Sequence, residues 1–215
     1  LVKYNSSGTK QWTRQLGTSQ EERGSSVALD SAGNIYLTGL SSGDLDGNTN
    51  AGSFDIILVK YNSSGTKQWT KQLGTSSSDI GTGVTVDSSG NIYVSGITSG
   101  DLDGNAHAGS YDIFLVKYNS SATKQWTKQF GTSSEDRMYN GVTVDSAGNI
   151  YLTGETAGAL DGNTNLGSRD IFLVKYNSSG TKQWTKQLGS SSWDTGWGVT
   201  VDSSNNIYMT GRTEE

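Results

Sequence analysis

The sequence contains no cysteine, no proline and a single histidine, His107. Without cysteine there are no disulfides and no thiolate metal sites, so stability must come from a core and from closure of the architecture. The compartment is left open by this absence. Without proline, every turn has to come from Gly, Asn, Asp or Ser. Gly supplies 29 of 215 residues, roughly twice its usual share of ~7%. No apolar stretch approaches the ~18 residues that span a bilayer, so membrane insertion is not expected. The 16 basic residues are scattered singly in a chain of net charge −5, and no run of them follows a phosphate backbone, which argues against a nucleic-acid partner. The chain opens at Leu1 without an initiator Met or a signal peptide, and it reads as a piece of a longer protein.

What is present is a repeat, and it decides the fold. The segment LVKYNSSGTKQWT at Leu1 recurs at Leu58, as LVKYNSSATKQWT at Leu115, and again at Leu173. Its tryptophans, Trp12, Trp69, Trp126 and Trp184, are spaced by 57, 57 and 58 residues. A second block begins at Val27, Val84, Val142 and Val199, as in VTVDSSGNIYVSG. The one extra residue of the third period falls between Gly131 and Val142.

Each period reads as four short strands: A (83–87), B (91–97), C (112–118) and D (124–130) in one copy. A and B are joined by Asp-Ser-Ser-Gly, and C and D by Asn-Ser-Ser-Gly, hairpin turns whose Gly takes φ > 0. Asn205 and Ala122 stand at that position in two turns. Asn tolerates it, whereas Ala costs roughly 1 kcal/mol. Strand C, as in Ile56-Ile57-Leu58-Val59, is apolar on both faces and therefore needs cover on both sides. Propeller blades supply that cover, because each sheet packs between two others. A β-solenoid is the competing repeat architecture, but its coils are usually shorter and lack two tight hairpins per repeat.

The expected fold is thus all-β: a single β-propeller domain over 1–215 with four-stranded antiparallel blades at 27–73, 84–130 and 142–188. A composite fourth blade is expected from 199–212 and 1–17, with N-terminal strands C and D closing on C-terminal strands A and B to remove exposed edges. An arc of a larger ring, or two chains forming an eight-bladed ring, are the alternatives, so the chain is either a monomer or a ring-completing homodimer. The blocks DIILVKYNSSGTKQWTKQLGT and GVTVDSSGNIYVSGIT resemble the bacterial β-propeller repeat family SBBP. The resemblance implies a secreted or cell-surface bacterial protein and, for most of the family, no defined activity.

In a propeller the A–B and C–D turns share one face, and the B–C and D–A loops share the other. The B–C loops place oxygen side chains at alternate positions: Asp44, Asp46, Asn48 and Asn50 in the first, then Asp101, Asp103 and Asn105 before His107. The third has Ala159 followed by Asp161, Asn163 and Asn165. Such spacing suits a hard cation such as Ca²⁺, although Asx turns explain the same residues. The D–A loops are where the copies differ, and Arg23, Arg137, Tyr139, Trp193 and Trp197 are the candidate ligand-binding residues there, for a glycan or a protein. The Trp of each Gln-Trp-Thr is expected to pack on the adjacent blade. Lys60, Lys117 and Lys175 are expected to extend along apolar surface or pair with the repeated Asp residues. Catalysis finds little support: His107 is replaced by Asn in the other two copies, no fixed partner orients it, and no phosphate loop is present. The expected role is a non-enzymatic structural or interaction module, with a glycan- or protein-binding propeller as the alternative and a hydrolase discounted.

Overall fold

The computed structural model describes all residues from Leu1 to Glu215. It contains sixteen strands, three single-turn 3₁₀ segments and no α-helix. The chain begins with a hairpin, β1 (Val2–Tyr4) and β2 (Lys10–Thr13). The first complete blade is β3 (Glu22–Leu29), β4 (Ile35–Ser41), β5 (Asp55–Tyr61) and β6 (Lys67–Leu73). The second is β7 (Asp79–Val86), β8 (Ile92–Thr98), β9 (Asp112–Tyr118) and β10 (Lys124–Phe130). The third is β11 (Asp136–Val144), β12 (Ile150–Thr156), β13 (Asp170–Tyr176) and β14 (Lys182–Leu188). A last hairpin, β15 (Thr195–Val201) and β16 (Ile207–Arg212), ends the chain. Each complete blade is an antiparallel meander.

Both hairpin turns of a blade are built alike. Asn62 Oδ1 accepts the backbone N–H groups of Ser64 and Thr66, and Asp87 Oδ1 those of Ser89 and Asn91. These are side-chain mimics of a backbone turn. The turn Gly residues have positive φ, and so do their replacements, Ala122 at 59° and Asn205 at 63°.

Alternation along strand C divides the core between two seams, as the period of two requires. In β5, Ile57 and Val59 join a cluster with Leu1, Trp12 and Leu16 of the first hairpin, while Ile56 and Leu58 join one with Val84, Val94 and Phe114 of the second blade. In β9, Phe114 and Val116 face the first blade, and Ile113 and Leu115 face Leu152 and Phe172 of the third. Each such buried side chain contributes about 1.5–3 kcal/mol. The strand-D tryptophans cover the blade edge, Trp69 lying 6.2 Å from Tyr36. Lys60 crosses the Tyr36 ring at 5.2 Å, so the strand-C lysines rest on aromatic faces rather than pairing with the repeated Asp residues.

Two expectations need correction. Strand A starts earlier than the hydrophobic pattern suggested, at Asp79 rather than Gly83. A bulge between Gly81 and Gly83 lets pairing continue into the segment read as a loop. The fourth blade also does not close. β1–β2 and β15–β16 are separate two-stranded sheets, one packed on the first blade and the other on the third. The two end hairpins do not pair with each other within the chain, and no B–C loop joins them as it does inside a blade.

Candidate functional site

Parallel bridges Phe54–Ser78, Tyr111–Glu135 and Arg169–Trp193 tie the end of each B–C loop to the following D–A loop, so both loop types lie on one face. The penultimate residue of strand B is Leu40 in the first blade, Ile97 in the second and Glu155 in the third, and Phe54 and Tyr111 are replaced by Arg169 in the third. The third seam therefore carries a polar cluster where the first carries Leu40, Phe54 and Ser78.

Glu155 is fully buried, and its carboxylate is filled by donors. Arg169 Nη1 at 2.9 Å and the Tyr139 hydroxyl at 3.2 Å reach Oε1. The Thr195 hydroxyl at 2.6 Å and the Trp193 indole N–H at 3.2 Å reach Oε2. Arg169 also bridges to Glu135 and lies under the Trp193 ring, 4.8 Å from its centroid. Arg137 binds Glu135 at 2.7 Å and covers Tyr111. Burial works against ionisation of Glu135, but Arg169 and Arg137 outweigh it and hold its carboxyl below the usual range. Burial, then the Glu155 charge, raises the Tyr139 hydroxyl. Around this neutralised core Trp193 and Tyr139 remain 43% and 42% exposed, so their rings are held in place yet face solvent.

Of the five candidate ligand-binding residues, three are gathered here: Arg137, Tyr139 and Trp193. Arg23 lies on the first blade, paired at 3.0 Å with Glu21. Trp197 projects from β15 at 47% exposure, in the bulge between Gly196 and Gly198. Glu155 and Arg169 were missed, because each sits in a repeat block that otherwise reads as structural. Their signal was the departure from Leu40 and Ile97, and from Phe54 and Tyr111. The larger concavities lie elsewhere: about 570 Å³ lined by Val2, Tyr4, Trp12, Val27 and Leu29, and about 430 Å³ lined by Ile171, Leu188 and Met209.

The B–C loops engage their oxygens internally. Asp44 Oδ1 accepts Asn50 N–H at 2.7 Å, and Asp101 Oδ1 accepts His107 N–H at 2.8 Å. Asn48, Asn105 and Asn163 donate to the carbonyls of Leu45, Leu102 and Leu160. Those leucines are buried and pin each loop. Asn50 and Asn165 donate to Gly52 and Gly167. Asp46, Asp103 and Asp161 turn outward to strand D, binding Lys67, Lys124 and Lys182 and the hydroxyls of Thr70, Thr127 and Thr185. They do so at positive φ, 53°, 52° and 50°. No three acidic or His side chains converge as a metal cluster, so a cation entering a loop has to displace its lysine. Gln72 holds the loop from strand D, accepting Leu45 N–H and donating to Gly43 O and Asp55 Oδ2. In the second blade His107 lies 3.4 Å from Asp112.

A further buried feature runs through the seams. Asp55, Asp79, Asp112 and Asp136 are all buried, with the charge of Asp79 bearing on Asp55 and that of Asp112 on Asp136. Burial, then the partner's charge, raises Asp55 and Asp136 against their hydrogen bonds. Asp55 Oδ1 and Asp170 Oδ1 have no hydrogen-bond partner.

The β-propeller repeat family SBBP matches residues 11–46, 68–103, 125–161 and 183–215. The chain belongs to this family. Over 153 residues, 64% of the chain, the SBBP chain is 30% identical to the regulatory protein FlaEY of Caulobacter vibrioides. Over 83% of its length it is 24% identical to the uncharacterized WD repeat-containing protein L264 of Acanthamoeba polyphaga mimivirus. It spans 16% of the length of each of these curated relatives. Among solved structures it resembles a protein of unknown function from Bacteroides caccae (TM-score 0.54, 11% identity, 94% of this chain and 57% of that one). It also resembles XC5397, a gluconolactonase of Xanthomonas campestris (TM-score 0.53, 12% identity, 98% of this chain and 61% of that one). At such identities the likeness is one of fold alone.

Proposed function

We propose that this propeller module is a non-enzymatic interaction module that uses the D–A loop face at its third seam to bind a glycan or a protein segment. One observation carries the proposal. In a chain of near-identical repeats, a single seam replaces apolar packing with a fully buried glutamate that fixes two solvent-facing aromatic rings. Rigid, half-exposed Trp and Tyr side chains offer large contact area at low entropic cost, which is why they dominate binding hot spots. Trp197 on the adjoining strand extends the surface.

A binding role is favoured over catalysis by how the polar groups are used. Glu155 receives four donors and has no lone pair aimed at solvent for base work. His107, on another blade, lies against Asp112 and Gln129. Deployment outside a bacterial cell is part of the proposal and rests on the family resemblance. The test is binding on glycan and peptide arrays. Wild-type protein is expected to bind, and Trp193→Ala with Trp197→Ala to weaken binding at least tenfold with the fold intact by circular dichroism. Binding that survives the double substitution contradicts the assignment.

A further inference from the structure

We propose that the paired carboxylates buried in the two seams between complete blades, Asp55 with Asp79 and Asp112 with Asp136, are cation sites, each taking one divalent ion of the size of Ca²⁺. The pairing follows from the backbone. Parallel bridges Phe54–Ser78 and Tyr111–Glu135 set the end of a B–C loop beside the D–A loop that leads into the next blade. The Asp79 N–H bonds Phe54 O at 2.8 Å and the Asp136 N–H bonds Tyr111 O at 3.0 Å, continuing that register. The next residue on each segment is the Asp, so the two side chains of a pair leave the ladder on the same side. All four residues are at most 1% exposed. A side chain at Gly131 would run into both Asp112 Oδ1 and Asp136 Oδ2, and one at Gly74 into Asp55 Oδ1. The glycine that follows strand D thus keeps clear the place where the carboxylates converge.

No Lys or Arg pairs with any of the four. The one basic side chain within ion-pair distance is His107, 3.4 Å from Asp112 in the second seam alone. Like charges taken out of water without a partner are costly, and either a shared proton or a bound cation relieves them. The oxygens favour the cation. Each seam keeps one buried carboxylate oxygen without a hydrogen-bond partner, Asp55 Oδ1 in the first and Asp136 Oδ1 in the second. The Thr156 hydroxyl near Asp136 donates to Gly158 O instead. The opposite oxygens are fixed by main-chain donors: Ala51 N–H reaches Asp55 Oδ2 at 2.8 Å, and Thr75 and Thr132 N–H reach Asp79 Oδ2 and Asp136 Oδ2 at 2.6 Å. Such donors favour the ionised form, and a cation removes the repulsion that works against them. Main-chain oxygens lie at the same loop ends, with Thr75 O facing Gly52 and Thr132 O facing Gly109. Two charges match a divalent ion. Ca²⁺ accepts carboxylate and carbonyl oxygens in a flexible shell, whereas Mg²⁺ gives up water reluctantly and suits a dry seam poorly. These sites are distinct from the outward acids of the B–C loops, which hold lysines.

The test titrates chelator-stripped protein with CaCl₂ at pH 7, followed by calorimetry and thermal melting. Wild type is expected to bind with a Kd of about 10⁻³ M or tighter, and to melt several degrees higher in ~10 mM CaCl₂. Asp55→Asn with Asp112→Asn should take up two fewer ions per chain and lose most of that shift, while melting at least as high as wild type without metal. Asp46→Asn, Asp103→Asn and Asp161→Asn together should keep both the ion count and the shift. Absence of heat and of any shift in wild type overturns the proposal and leaves a shared proton in each seam. A response lost in the loop variant but kept in the seam variant overturns the placement, and an equal response to MgCl₂ overturns the size assignment.

Discussion

At the residue scale, Glu155 illustrates how one substitution in a repeat recruits its neighbours. Removing the carboxylate alone leaves Arg169 to Glu135 and takes one acceptor each from Tyr139, Trp193 and Thr195, and breaking a buried pair in this way costs about 3–5 kcal/mol. Glu155→Ala is therefore expected to lower the unfolding free energy by that amount in urea titration. A second residue prediction comes from the seam carboxylates. The folded pKa of Asp55 is raised by burial and then by Asp79, so the folded state holds the proton more tightly than the unfolded chain does. That contribution is fully present below the ordinary carboxylate range and is lost as pH rises through the raised folded value. Asp55→Asn should then match or exceed wild-type stability at pH 7, with its relative gain vanishing toward pH 4. A loss of equal size at both pH values contradicts the repulsion. Ala122 was legible from sequence: its turn demanded positive φ, and it has 59°. At the equivalent Gly65 an added Cβ would also come within 2.8 Å of Trp12. Ala122→Gly is expected to raise stability by about 0.5–1 kcal/mol by thermal melting.

At the scale of elements, strands C and D were readable to the residue, because their alternation and Asn-capped turns leave one register. The start of strand A was not, since a Gly bulge conceals continued pairing behind a run of Ser, Asp and Gly. The B–C loops show a different limit. Alternate Asp and Asn residues suit a cation as well as they suit an Asx turn, and only the strand-D partners, Lys67 and Thr70 for Asp46, distinguish the two arrangements. Those partners lie 21 and 24 residues away, beyond any local spacing rule. Gln129 is the loop's hook, reaching Gly100 O, Leu102 N–H and Asp112 Oδ2. Gln129→Ala should cost about 1–3 kcal/mol by leaving these partly buried groups unsatisfied. The loss should appear as faster amide exchange at Leu102 than at its counterpart Leu160.

At the scale of the whole molecule, the repeat gave the architecture, because apolar strands covered on both faces have few arrangements other than stacked blades. Closure was not readable, since it depends on the accumulated rotation across seams, to which no single residue testifies. The same comparison of seams locates function: two are apolar at the strand-B end and one is built on Glu155, Arg169 and Trp193. The decisive measurement converts the third seam into the first, by Glu155→Leu, Arg169→Phe, Trp193→Ser and Thr195→Ile together, and compares array binding and melting temperature with wild type. Replacing a buried ionic group with well-packed apolar residues is commonly neutral or stabilising. Retained or raised melting temperature with loss of ligand binding is the predicted result. Undiminished binding by the converted protein would contradict a ligand-facing role for this seam.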